Sequence, residues 1–254
     1  MKVDVVTIFP EAFPGPLGVG IAGRAQERGL LDLVVWDLRD FTADRHRSVD
    51  DVPYGGGVGM VMKAEPLARA VDAIRAKRGA EDATVVLTSP QGERLTHQRA
   101  RVLARRAHLI LLCGRYEGVD ERVVELVGAD EISIGDYVVS GGELPAMVII
   151  DAVVRLLPGA VGDAESVARE SFSEGLLDHP QYTRPAVFRN RAVPDVLLSG
   201  HHEAIRRWRR REALGRTLIR RPDLLDEALL DDEARGILHE LRAQGGSHGT
   251  NPRG

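Results

Sequence analysis

The sequence predicts an α/β fold built on a mostly parallel sheet, with a small C-terminal helical domain behind it. Short β-branched runs alternate with amphipathic stretches over roughly the first 160 residues, the pattern of repeated strand–helix units. Three of these strand–helix junctions, at 88–92, 113–118 and 134–142, are turns containing glycine. Beyond position 160 the alternation stops and arginine dominates.

Each element follows from local pattern. KVDVVTIF, 2–9, carries Val3, Val5, Val6 and Ile8 and stops at Pro10, which reads as a strand. GIAGRAQERGL follows as a helix closed by Gly29. LDLVVWDL, 31–38, is a second strand. Residues 39–60 are polar, lack apolar periodicity and end in DDVPYGGGVGM; a loop of that length in a compact domain is usually functional or mobile. AEPLARAVDAIRAKRG is an amphipathic helix, with Leu67, Val71 and Ile74 at spacings of four and three. ATVVLTS is a strand ended by the turn SPQGE, THQRARVLARRA a helix and HLILLC a strand. GRYEGVDERVVELVG is a turn and short helix, and DEISIG a strand. ELPAMVIIDAVVRLLPG is a helix stopped by Pro158 and Gly159. The small, acidic stretch after it is expected to be a linker over 161–172, between a first domain over 1–160 and a helical one over 173–245. The tail 246–254 is expected to be disordered.

Composition excludes several classes. The 254 residues are 43% apolar and 28% charged, ordinary for a globular protein with a substantial core. No run reaches the ~18 apolar residues of a membrane span, and Asp4 breaks the N-terminal run, so neither an anchor nor a signal peptide is expected. Cys113 is the single cysteine and lies in LILLC. It reads as a small buried hydrophobe, and the chain as a resident of the reducing cytoplasm. The net charge of −4 conceals a basic segment at 201–221, with eight arginines around Trp208. Such a patch favours phosphate-backbone contacts over a merely solvated helix face.

The glycine turns raise the question of what they hold. In parallel sheets ligands bind at the carboxyl ends of strands, where all three turns lie. The P-loop pattern is absent, and the first strand–helix turn lacks the dinucleotide fingerprint. Glycine lets backbone groups approach a ligand closely, while Glu117, Asp136 and Glu143 would repel a triphosphate. A phosphate-free ligand bearing positive charge suits such a cradle. Arg155 shares a helix face with Asp151 among apolar positions, where a covered arginine needs an anionic partner. The cluster around CGRYEGVDERV reads equally as a helix start capped by Asp120 and as a site with Tyr116 and Glu117 facing a base.

The motifs VTIFPE, SVDDVPYGGGVGMVMK, TSPQG, LCGRYEGVDERV, SIGDYVVSGGELPAMVIIDAVVRLLPG, GLLDHPQYTRP and VPDVLLSGHH occur in this order over nearly the whole chain. Together they resemble the bacterial tRNA (guanine-N1)-methyltransferase family, TrmD. The resemblance implies a SPOUT-type sheet with a deep trefoil knot, a homodimer with shared active sites, and tRNA as substrate. It implies transfer of a methyl group from S-adenosylmethionine to N1 of the guanosine immediately 3′ of the anticodon, position 37. It further implies help from Mg²⁺, although no metal-ligand cluster and hence no dedicated protein site is visible.

Carried over residue by residue, the resemblance assigns the cofactor to Leu87, Ser89 and Pro90, to Gly114, Tyr116 and Glu117, and to Ile134, Gly135, Asp136, Tyr137, Val138, Val139, Gly141, Gly142 and Pro145. Asp50, Gly55, Gly57 and Gly59 would face the RNA, with Arg206, Arg209 and Arg210 on the basic helix. Arg155 would offset charge on guanine O6. The general base of the family is an aspartate before a Ser-Phe or Ser-His pair; here Glu170 precedes Ser171-Phe172. Asp178 is the reserve for that role. The departure at 170 keeps two alternatives open: a non-catalytic RNA-binding protein on the same fold, and a SPOUT enzyme for another RNA position.

Overall fold

The computed structural model describes residues 1–162, 170–173 and 175–245. The chain divides into two compact units, Met1–Ala164 and Glu165–Gly254. The expected linker, 161–172, lies mostly outside the described residues, and the tail 246–254 wholly so.

The strands of the first unit are β1 (Lys2–Thr7), β2 (Asp32–Asp37), β3 (Asp50–Asp51), β4 (Val61–Met62), β5 (Thr84–Arg94), β6 (His108–Cys113) and β7 (Ala129–Ser133). Five of them form one parallel sheet in the order β2–β1–β6–β5–β7. Its helices are α1 (Pro14–Leu17), α2 (Gly20–Glu27), α3 (Ala64–Arg78), α4 (His97–Ala104), α5 (Arg122–Val127) and α6 (Glu143–Val154).

Strand side chains alternate between faces, and both faces of this sheet are buried. Val3, Val5, Val86, Leu109 and Leu111 pack with α2, α4 and α6 in one core. Val6, Val85, Leu87, Ile110 and Leu112 pack with α3 and α5 in the other. This explains the near-continuous apolar runs of the strands. The one buried acid in these strands is Asp4, fully buried in β1. A buried carboxylate needs partners; Asp4 accepts from Trp36 Nε1 at 2.7 Å and Arg78 Nε at 3.3 Å and meets His108 Nε2 at 2.5 Å.

Three sequence expectations change. β5 does not end at the SPQGE turn. It pairs with β7 again at Glu93 and Arg94 after an irregularity between Thr88 and Glu93. Gly92 permits this, because a Cβ there would lie 2.3 Å from the Glu131 carbonyl carbon. The loop 39–60 is not featureless: Asp50 and Asp51 pair antiparallel with Met62 and Val61. Finally, α6 ends at Val154, and Arg155 is its C-cap residue.

The second unit contains the hairpin β8 (Val187–Phe188) and β9 (Arg191–Ala192), then α7 (Asp195–Leu198), α8 (His202–Arg220) and α9 (Asp232–Gly245). Leu214, Ala234 and Ile237 form its small core. Ion pairs join the two long helices: Arg206 to Glu233 at 2.8 Å, Arg210 to Glu233 at 3.4 Å and Arg211 to Glu240 at 2.9 Å; Arg210 also meets Asp231, just before α9, at 2.5 Å. Among the described residues no helix is long and apolar enough to cross a membrane.

Gly92→Ala tests the irregular strand. Backbone lies too close for a methyl group, so the variant is expected to lose about 1–3 kcal/mol of unfolding free energy in denaturant titration. Gly15→Ala, with nothing within 4 Å of its new Cβ, should stay within about 0.5 kcal/mol of the parent.

Candidate active site

The carboxyl ends of β5, β6 and β7 enclose a cavity of about 310 Å³. Three loops build it. The irregular stretch of β5 supplies Leu87, Ser89 and Pro90. The turn after β6 supplies Gly114, Tyr116 and Glu117, and the segment after β7 supplies Ile134, Tyr137, Val138, Val139, Gly141, Gly142 and, in the first turn of α6, Pro145. Of the positions expected to hold a cofactor, Gly135 and Asp136 do not line it. Gly135 is pinned beneath the wall, its N–H 3.2 Å from Ser133 Oγ, and Asp136 is exposed.

The loops are locked together by close backbone passage. Gly142 N donates to Gly114 O at 2.7 Å, and Arg115 bridges antiparallel to Gly141. A Cβ on Gly142 would sit 2.1 Å from Thr88 Oγ1 and 2.7 Å from Cys113 Cα. Tyr116 holds φ at 60°, left-handed backbone that costs a non-glycine residue energy and that clusters at functional sites.

Glu143 opens α6 and is 6% exposed. Its Oε1 accepts from Thr7 Oγ1 at 2.8 Å and its Oε2 from Arg115 Nη1 at 3.2 Å. The Arg115 guanidinium also lies 4.5 Å over the Phe9 ring. Glu143 is therefore neutralised inside the protein and is not among the charges facing a ligand. Glu117, Glu121 and Glu131 do line the cavity, and Arg115, its single lining cation, is the residue already paired to Glu143. The lining is acidic on balance, with apolar walls at Leu87, Ile132 and Pro145. It suits a partly apolar ligand that carries positive charge and no phosphate.

The glycine loop reaches this rim. Glu117 N donates to Met60 O at 3.0 Å, and Met62 N donates to Gly118 O at 2.9 Å. The β3–β4 ribbon thus lies alongside the turn after β6, with Asp50 opposite Met62. Gly55, Gly57 and Gly59 are exposed in its loop. Arg155 is half-buried at the end of α6. Asp120 accepts from Arg122 N at 3.1 Å and Nε at 2.9 Å, and that guanidinium holds its carboxyl below the usual range.

In the second unit Asp178 is committed to its own turn. Oδ1 accepts from His179 N at 2.7 Å and Oδ2 from Gln181 Nε2 at 3.0 Å. Ser171, next to Glu170, accepts from Asp178 N at 2.9 Å. Of the three arginines expected to meet RNA, Arg206 and Arg210 are engaged with acids of α9, and Arg206 holds the Glu233 carboxyl below its usual range. Only Arg209 has no acidic partner among the described residues. Among those residues no group of three or more His, Cys, Asp or Glu side chains is placed to hold a metal ion.

Thr88, Glu131 and the Thr7–Glu143–Arg115 set were missed by sequence reasoning. Thr88 and Glu131 lie in strands whose apolar pattern hides them. Glu143 was noticed, but its partner lies 136 residues away for one oxygen and 28 for the other.

The tRNA (Guanine-1)-methyltransferase TrmD family model matches residues 1–227. The chain belongs to that family. Among its relatives are proteins named tRNA (guanine-N(1)-)-methyltransferase. One from Dictyoglomus turgidum is 54% identical over 96% of this chain and 98% of its own. One from Pelotomaculum thermopropionicum is 56% identical over 96% and 97%, and one from Geotalea uraniireducens 54% identical over 98% and 100%. In this TrmD family member the acidic cavity and the glycine loop occupy one edge of the first unit.

Two measurements test the lock around Glu143. Arg115→Ala leaves that carboxylate buried without its cation and is expected to lower unfolding free energy by about 3–5 kcal/mol; a loss below about 1 kcal/mol in denaturant titration would mean that the pair does not hold the loops. Cys113 is buried beside it, and burial first, then the Glu143 charge, push its thiol up. Its contribution to stability is fully present below the ordinary thiol range and is lost above it, because the unfolded chain then releases the proton first. Between about pH 8 and pH 10 the parent should lose stability more steeply than Cys113→Ala, by at most ~1.4 kcal/mol per pH unit.

Proposed function

We propose that the protein methylates N1 of the guanosine immediately 3′ of the anticodon, position 37, in tRNA, with S-adenosylmethionine as donor. The observation that carries this reading is membership of a family whose relatives, named as tRNA (guanine-N(1)-)-methyltransferases, are matched over nearly their full length. The cavity supports the choice of donor. Its walls suit adenine and a thioether chain, and Glu117, Glu121 and Glu131 suit a cationic ligand.

S-adenosylmethionine, when bound, would supply an electrophilic methyl group on its sulfonium, with a neutral thioether as the leaving group. The residues of this chain do the rest. The three loops orient the donor through backbone N–H and C=O groups. Glu170 takes the N1 proton of guanine, making N1 a nucleophile. Arg155 offsets negative charge at O6. Asp50, Gly55, Gly57 and Gly59 position the RNA at the cavity rim. Asp178, whose oxygens both accept hydrogen bonds within its turn, supports the loop that carries Glu170.

The proposal extends to a deep trefoil knot. Its support is the order of crossings: β7 joins the sheet beyond β5, and the chain then returns past Thr88, Cys113 and Gly114 at Gly142. It extends also to a homodimer with shared active sites. Leu144 is 59% exposed and Val148 45% exposed on α6, whose residues are apolar almost all round; such a helix is normally covered on every side. A helical tRNA-binding domain over 173–245, a linker before it and a cytoplasmic location belong to the same reading.

Labelled methyl transfer to paired tRNA transcripts tests the reaction. Replacing the guanosine after the anticodon with adenosine should abolish incorporation; persistent methylation would reject this specificity. Glu170→Gln should lower kcat by roughly 10²–10⁴-fold, and Asp178→Asn by far less; the reverse ranking would move the base to Asp178. Arg155→Ala should lower kcat about 10²–10³-fold with S-adenosylmethionine affinity unchanged by calorimetry. Absence of S-adenosylmethionine binding by the parent protein would favour a non-catalytic RNA-binding role.

A further inference from the structure

The second unit holds a cavity of its own, about 410 Å³, between the segment after Asp178 and α8. Trp208 forms one wall. Tyr182 and His179 flank it, their ring centroids 6.3 Å and 6.4 Å away and their planes tilted by 52° and 51°. Leu197, Ile205 and Val193 make an apolar floor, and Gln181 and Thr183 bring amide and hydroxyl groups.

The charge of this cavity differs from that of the first unit's. Arg184 and Arg209 line it, and no acidic side chain does. Asp178, the nearest acid in sequence, faces its own turn. Among the described residues neither Arg184 nor Arg209 has an acidic partner, whereas Arg206, Arg210, Arg211 and Arg221 are all paired. The rim continues into the β8–β9 hairpin, because Val193 N donates to Ala186 O at 2.8 Å and both residues line the cavity. That hairpin exposes Phe188 at 61%, with the Arg189 guanidinium 5.4 Å over its ring. All residues from 181 to 192 are exposed.

We propose that this cavity holds one unpaired nucleobase of the RNA substrate, stacked at Trp208 and Tyr182, with its phosphates at Arg184 and Arg209. The proposal rests on the reading of the protein as a tRNA enzyme. Aromatic walls take any base, since every base offers a π-face. Paired bases keep their faces inside the stack, so the occupant comes from a loop and not from a stem. The apolar floor can be covered by a ring, and the two exposed arginines, without acidic partners among the described residues, offer cations to a phosphate; a loop nucleotide supplies both ring and anion. The hairpin's Phe188 and arginines extend the same surface to a neighbouring nucleotide.

Direct binding tests this without turnover. The probes are a stem-loop RNA with the anticodon loop and a blunt duplex of the same stem. The stem-loop should quench Trp208 fluorescence, with Trp208→Phe as the baseline. Tyr182→Ala and Arg184→Ala, both at exposed side chains, should each weaken stem-loop binding by roughly 10-fold or more, and Tyr182→Phe should restore it. Duplex affinity should be unchanged by Tyr182→Ala, and so should S-adenosylmethionine binding. Equal loss on stem-loop and duplex would reduce the site to a phosphate contact and overturn the proposal. A Trp208 signal that follows protein concentration and ignores RNA would also overturn it, making the face a contact between copies of the chain. If the parent protein binds the stem-loop with Trp208 quenched yet transfers no methyl group, the proposed function fails and the pocket stands.

Discussion

At the first turn of α6 a carboxylate is almost wholly buried, and the loops around the first cavity are arranged to satisfy it. Glu143 accepts a hydrogen bond from the Thr7 hydroxyl at the end of β1 and another from the Arg115 guanidinium in the turn after β6. Charge in a low-dielectric interior is tolerated only with such partners. The consequence is that sheet, turn and helix cannot shift independently. The close passage of Gly142 over Thr88 and Cys113 then follows, since the helix must start where its carboxylate can be met. The same pairing sets the character of the cavity. Arg115 is spent on Glu143, and the lining carboxylates face the cavity without a counter-cation among the described residues.

The second unit uses arginine in two ways, and helical geometry separates them. Arg206 and Arg210 are four residues apart and share the face of α8 that meets α9. Their charge joins two helices over a small apolar core. Trp208 and Arg209 lie on the face that meets the segment after Asp178. The basic character of 201–221 is therefore only partly available to a nucleic acid. A count of arginines overstates the binding surface, because exposed acids on α9 neutralise part of it.

Much of the fold was legible in the sequence. The strands 2–7, 108–113 and 129–133 and the helices over 64–78 and 202–220 follow from β-branched runs and apolar spacing, both local properties. The glycine turns were legible as a binding region, since three of them fall at strand ends of a parallel sheet. The continuation of β5 to Arg94 was not legible, because a proline and a glycine at 90 and 92 read locally as a turn. The early end of α6 was hidden in an apolar run that continues to Leu157.

The sequence by itself determined the main strands and helices of the first unit, the parallel α/β class and the family, because each depends on residues close in the chain or on motifs in order. Only the tertiary structure decided which charges remain free. Glu143 looked like a ligand-facing acid and is a structural one; Arg206 and Arg210, read from the sequence only as RNA contacts, also tie α8 to α9. The reason is physical. Whether a charge faces a ligand or a neighbour is set by partners tens to more than a hundred residues away, and no local pattern encodes that distance.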